Sequence, residues 1–173
     1  MPYDVEVTEQ PMYAVLNLRG GDDARAAFSK ALGVDLKDQV STVTSKGNMH
    51  VFTVGPDEWM VTAPSSEEER LESKLRAVVE GMFAAVTIVS DMNKVYRVFG
   101  PEARDLLAQA TSIDLHSREF GPGKCARTAF AKTTGAVIHQ IDEVPTFDVY
   151  IESSYVAYMK LWFDTASGKL AAK

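Results

Sequence analysis

The sequence predicts an α+β protein made of two copies of one unit, each an antiparallel sheet with helices on one face. Three observations predict it. Strand and helix signals recur in the same order in both halves, the halves align at fixed offsets, and the helical stretches carry one apolar stripe each. The expected division is residues 1–88 for the first repeat and 89–173 for the second, packed as one compact unit.

The first strand signal is Met12 to Leu18, closed by Arg19-Gly20-Gly21. A helix follows, with Asp22 or Asp23 expected as N-cap, Ala24, Ala27, Phe28, Ala31 and Leu32 at helical spacing, and Gly33 placed to end it. Strands are expected at Val40–Thr44, Met49–Val54 and Trp59–Ala63, separated by Lys46-Gly47-Asn48 and Gly55-Pro56-Asp57. Ser65 with Glu68, and Ser66 with Glu69, have capping-box spacing, so a second helix should open there. Its apolar face is Leu71, Leu75, Val78, Val79 and Met82.

The order then begins again. Phe83 to Val89 is apolar, Lys94 to Phe99 reads as a strand, and Gly100-Pro101 turns into a helix carrying Ala103, Leu106, Leu107 and Ala110. Strands follow at Ala126–Ala131, Ala136–Ile141 and Phe147–Ile151. A last helix opens at Ser153 or Ser154 and carries Val156, Met159, Trp162 and Phe163; the tail from Ser167 to Lys173 is expected to fray. Register supports duplication. Ala24-Arg25 falls on Ala103-Arg104 and Asp35-Leu36 on Asp114-Leu115, both 79 residues apart. Trp59 falls on Phe147 and Ser65-Ser66 on Ser153-Ser154, both 88 apart. The difference of nine is an insertion around Leu115 to Lys124.

Composition narrows the function classes. With 46 % hydrophobic and 24 % charged residues the chain has a globular balance. A net charge of −6 with scattered Lys and Arg argues against nucleic acid, whose binding rests on phosphate contacts. A single cysteine, Cys125, forms no intramolecular disulfide, and no stretch has the length and apolarity of a membrane span or signal peptide. A soluble cytoplasmic protein is expected.

No constellation reads as catalytic. His50, His116 and His139 lack metal-ligand spacing, and His50 and His139 are read as structural strand residues. Cys125 opens an apolar strand and is read as packing. Arg19-Gly20-Gly21 and Gly121-Pro122-Gly123 are not dinucleotide turns. Asp57 and Glu58 read as turn acids. Trp59 is read first as core, with a binding hot spot as the alternative. Catalytic, cofactor and metal sites are therefore all expected to be none.

Specific wording resembles a known family. Gly55-Pro56-Asp57-Glu58-Trp59, Val98-Phe99-Gly100-Pro101-Glu102-Ala103-Arg104-Asp105-Leu106-Leu107, and the run from Ile113-Asp114-Leu115-His116 through Phe120-Gly121-Pro122-Gly123-Lys124-Cys125-Ala126 are similar to the sarcosine oxidase gamma subunit. The resemblance covers about residues 40–163 and is strongest over 90–130. It implies a fold like the folate-binding domain of glycine-cleavage aminomethyltransferases. It also implies a non-catalytic, structural role in a heterotetrameric oxidase that demethylates sarcosine to glycine. The partners implied are alpha, beta and delta subunits, carrying FAD, FMN, NAD, tetrahydrofolate and zinc; this chain would hold none. A stand-alone folate-binding one-carbon transferase is the alternative, with Asp91 its nearest candidate acid. The inserted loop, rich in Pro, Gly and charge, suggests a partner interface at His116, Arg118, Phe120 and Pro122, with Trp59 added as a possible hot spot.

Overall fold

The computed structural model describes residues 3–142 and 144–169, which divide into two units. One is Met12–Asp91; the other joins Met92 onward to the first eleven residues.

The Met12–Asp91 unit contains β2 (Tyr13–Gly20), α1 (Asp22–Leu32), β3 (Thr42–Lys46), β4 (Met49–Gly55), β5 (Glu58–Pro64), α2 (Glu68–Val78) and β6 (Ala84–Ile88). Its sheet runs β3-β4-β5-β2-β6, with every neighbour antiparallel. Alternate residues Ala14, Leu16, Leu18, Trp59, Val61 and Ala63 project to the face covered by Phe28 and Leu32 of α1 and Leu71 and Leu75 of α2. On the opposite face Val15, Phe52 and Met60 are also buried.

The other unit has β1 (Glu6–Glu9), β7 (Asn93–Phe99), α3 (Ala103–Ala108), β8 (Cys125–Phe130), β9 (Thr133–Asp142), β10 (Thr146–Glu152) and α4 (Val156–Ala166). Its sheet, β1-β7-β10-β9-β8, has the same layout position for position. Here Val98, Phe147, Val149, Ile151 and Ile138 face Leu106 and Leu107 of α3 and Met159 and Phe163 of α4. The fold class is the one expected.

The duplicated register holds at the level of single bonds. Trp59 sits opposite Leu18, and Phe147 opposite Val98. Gly20 donates its backbone N–H to Asp57 O, and Gly100 donates to Pro145 O, each over 3.2 Å. Ser65–Glu67 and Ser153–Tyr155 both form a 3₁₀ turn that leads into α2 and α4. Leu71 and Leu75 are buried at the positions of Met159 and Phe163.

Several local expectations need correction. Asp22 and Asp23 lie inside α1, whose N-cap is Gly21, and Asp22 accepts instead from Arg25. The Ser65 and Ser66 hydroxyls make no cap bond, because the 3₁₀ turn shifts the helix start to Glu68, whose carboxylate accepts from the Ser90 hydroxyl. Pro101 lies in the turn before α3 rather than within it, and Met82 is exposed beyond the end of α2. Gly33 does end α1, in the left-handed conformation with its N–H on Ser29 O. Residues 170–173 of the expected frayed tail lie outside the described residues; Ser167 is buried and accepts from the Tyr3 backbone N–H.

The strand missed by sequence reading is β1, and it moves the boundary expected at residue 88. In the first unit β6, arriving after α2, occupies the edge beside β2. In the second, β1 takes the matching edge, pairing Glu6 to Phe99 through Glu9 to Tyr96. The approach to that edge needs a glycine in both units. A Cβ on Gly20 would lie 3.1 Å from the Cβ of Ala84 at the start of β6 and 2.6 Å from that of Ala24 in α1, and one on Gly100, at φ +131°, would lie 2.5 Å from Asp4 O. Gly100→Ala is expected to cost about 2–3 kcal/mol by combining backbone strain with displacement of β1. Gly123→Ala, at φ +83° with open space around it, should cost only about 1 kcal/mol, for strain alone. Urea unfolding of the two variants measures the difference.

Candidate functional site

The Arg104 guanidinium on α3 ties several parts of its unit together. It donates to the carbonyls of Leu115 and Phe120 (3.0 Å to the latter) and to Gln140 Oε1 at 2.8 Å, and it lies 5.2 Å from the centre of the Phe147 ring. Five fixed donors let one arginine gather two loop carbonyls and a strand amide. The loop is held by it. In the other unit the matching place is filled differently. Trp59, the counterpart of Phe147, donates its indole N–H to Lys37 O over 2.8 Å, and Thr53 donates its hydroxyl to the same carbonyl at 3.1 Å. Phe147 has no donor, so Arg104 supplies the bonds.

These contacts decide the candidate interface residues. Trp59 is 1 % exposed and lies in the core of its unit, so packing, the first of its two readings, describes it and the surface hot spot does not. Phe120 is 6 % exposed, with its ring stacked 6.4 Å from Phe147, so it is the loop's anchor. The large side chain turns inward because Arg104 holds its carbonyl against the sheet. His116, Arg118 and Pro122 are exposed. His116 starts a local turn: its N–H donates to Asp114 at 2.8 Å, and its O accepts from Glu119 and Phe120.

The histidines do not converge. His50 Nδ1 pairs with Ser45 Oγ at 2.8 Å in one sheet; His139 is buried in the other, with Nδ1 3.4 Å from Lys124 O. Among the described residues no group of three or more His, Cys, Asp and Glu is placed to hold a metal ion. Glu58 accepts from Asn17 and Arg19, each at 2.9 Å, and Asp57 occupies a turn at φ +52°. Asp91 lies exposed in a short 3₁₀ turn. Two open clefts of about 450 and 600 Å³ are lined in part by α1. The second is lined by Arg25, Asp22, Asp38, Lys37 and Asp35, which pair among themselves, and Lys37 holds the Asp35 carboxyl below its usual range.

One row does bring reactive residue types together. Across the second sheet Cys125 stands opposite His139, His139 opposite Asp148, and Asp148 opposite Arg97. Sequence reading missed the row because its members lie on four strands, and only strand register brings them into line. A nucleophile would need a thiolate at working pH. Burial instead pushes the Cys125 thiol up to about 12, the nearby Arg127 charge offsetting only part of this. Asp148 is committed to Arg97 by two hydrogen bonds of 2.8 Å, a fork that uses both carboxylate oxygens. The row is structural.

The class these features define is a duplicated α+β chain with the aminomethyltransferase type of fold. Over 94 % of its length it matches the glycine cleavage system aminomethyltransferase T from Bartonella henselae, with a TM-score of 0.71 and 14 % identity, covering 46 % of that protein. The match is stronger, TM-score 0.88 at 25 % identity over 98 % of this chain and 86 % of the other, with a chain of the heterotetrameric sarcosine oxidase from Corynebacterium sp. U-96, solved in complex with pyrrole 2-carboxylate. The model of the sarcosine oxidase gamma subunit family matches residues 19–169, and the chain belongs to that family. The sarcosine oxidase subunit gamma of Corynebacterium sp. (strain U-96) is 30 % identical over 130 residues, 73 % of this chain. The chain spans 62 % of the length of that curated relative in the alignment. No helix among the described residues is long and apolar enough to cross a membrane.

The thiol's environment has a measurable consequence. A group held protonated in the fold stabilises it fully below its unfolded value and loses that contribution as pH rises toward its folded value. For Cys125 the window runs from 9.0 to about 12. Native protein is expected to resist a thiol reagent at pH 8 while unfolded protein reacts fully. Cys125→Ala should remove this part of the alkaline loss of stability, measured by urea unfolding across that window.

Proposed function

We propose that this chain is the gamma subunit of a heterotetrameric sarcosine oxidase and that its contribution is to assembly rather than to chemistry. The observation that carries the reading is the likeness to a chain of the Corynebacterium oxidase over nearly the whole length, supported by family membership. In this reading the complex removes the methyl group of sarcosine to give glycine, and alpha, beta and delta subunits supply the rest of the assembly. FAD, FMN, NAD, zinc and tetrahydrofolate belong to those subunits, and the complex works in the cytoplasm.

The geometry supports an assembly role. The thiol is held protonated, and the buried Asp148 carboxylate is locked by Arg97. Arg104 is spent on shaping a loop that offers His116, Arg118 and Pro122 outward. That loop is a place where a partner subunit would meet the chain. The fold likeness to aminomethyltransferase T covers under half of that protein and carries no folate binding with it.

The test compares the chain alone with the chain in its host. Expressed alone it is expected to be colourless and to leave tetrahydrofolate unbound in calorimetry. Tagged in its own host, it should bring down flavin-absorbing subunits that oxidise sarcosine. A chain that purifies alone from the host and binds tetrahydrofolate by itself would replace this reading with the one-carbon transferase.

A further inference from the structure

The duplication supplies an internal comparison for the strand that closes each sheet. β1 and β6 fill the same edge and are equivalent at an offset of 79. Glu6 pairs with Phe99 as Ala85 pairs with Arg19, and Val7 with Val98 as Val86 with Leu18. Each strand ends on the same hydrogen bond. Gln10 donates its backbone N–H to Val95 O, and Val89 donates to Val15 O, both at 2.8 Å.

Beyond that bond the two edges part. Val86 of β6 is buried in the core of its unit, and Ser90, one residue past the closing bond, is buried as well. The Ser90 hydroxyl oxygen accepts from the Val15 backbone N–H at 2.8 Å, and the hydroxyl donates to the Glu68 carboxylate of α2. β6 is latched. In β1 the place of Val86 is taken by Val7, which is only partly buried, and that of Ser90 by Pro11, which is exposed and has no hydroxyl. None of the four residues of β1 is buried. The Glu9 carboxylate pairs with Lys94 at 2.6 Å, but its side chain is 49 % exposed, and such a pair adds little. β7, by contrast, keeps its place without β1. All of Asn93–Phe99 pairs with β10 on the other side, and Val95, Tyr96 and Val98 are buried.

We propose that β1 is a strap: it opens as a unit of its own, with β7 and β10 still paired, so that the β7 edge alternates between closed and bare. Segments with few buried contacts open at lower free energy than the core they cover. A bare strand edge is where a strand of another chain adds, so the strap governs access to it. The inference concerns the chain's own edge and holds whether or not the subunit reading does.

The experiment is native-state hydrogen exchange on the full chain, read amide by amide by NMR in rising, sub-denaturing urea. The Gln10 amide is expected to exchange about a hundredfold faster than the β10 amides bonded to β7, at a rate that urea barely changes, as a small local opening does. The Val89 amide makes the same bond in the other unit and should exchange as slowly as the core of that unit. Glu9→Gln should speed exchange at Gln10 about two- to fivefold and leave Val89 and β10 unchanged. A Gln10 amide that matches the β10 amides in rate and urea dependence would overturn the proposal, since β1 would then open only with its whole unit. A Val89 amide as fast as Gln10 would overturn it too, because both edges would open alike. So would a Glu9→Gln effect spread equally over β10.

Discussion

An antiparallel sheet cannot leave an apolar edge strand open, and that constraint organises this chain. In each unit the first strand, β2 or β7, has the meander's last strand on one side and needs a partner on the other. The first unit fills that edge with β6, which follows α2 directly. The second fills it with β1, drawn from the N-terminus. The turn glycines Gly20 and Gly100 answer the same need, since each leaves the close approach to the strand's end open. Asp4 strengthens the closure, donating its backbone N–H to Glu102 at 2.6 Å. The second unit is thus made from both ends of the sequence.

Much of this was legible in the residues. The serine pairs Ser65-Ser66 and Ser153-Ser154 and the Trp59 and Phe147 positions carried the 88-residue offset, and paired strands then placed Trp59 and Phe147 in equivalent registers. β1 was not legible. Glu6-Val7-Thr8-Glu9 has four residues and one apolar side chain, so its identity as a strand comes from the β7 edge it meets. The caps misled for a related reason: a 3₁₀ turn has its own hydrogen bonds, and the Glu68 carboxylate found a tertiary partner in Ser90, 22 residues away.

His50, His116 and His139 were read apart from a metal pattern by their spacing, and Cys125 was read as packing from the burial habit of free cysteine; the thiol is buried and its value raised. The roles of Arg104 and Phe120 lay beyond sequence reading because they depend on Gln140 and Phe147, which reach them only across the sheet. Trp59 shows the same limit: its aromatic bulk suited both core and interface, and the Lys37 carbonyl decided for the core. Duplication followed by divergence explains the pattern. One scaffold was kept in both units, while the loop after the first helix was changed in the second.

The measurement that tests the account most directly is sarcosine oxidation and sedimentation of the complex purified from host cells lacking this chain, before and after the purified chain is returned. The account predicts that the remaining subunits fail to sediment as the full complex and lose activity, and that adding the chain restores both. Remaining subunits that assemble and oxidise sarcosine at the unaltered rate without it would contradict the claim that the chain exists to build the enzyme.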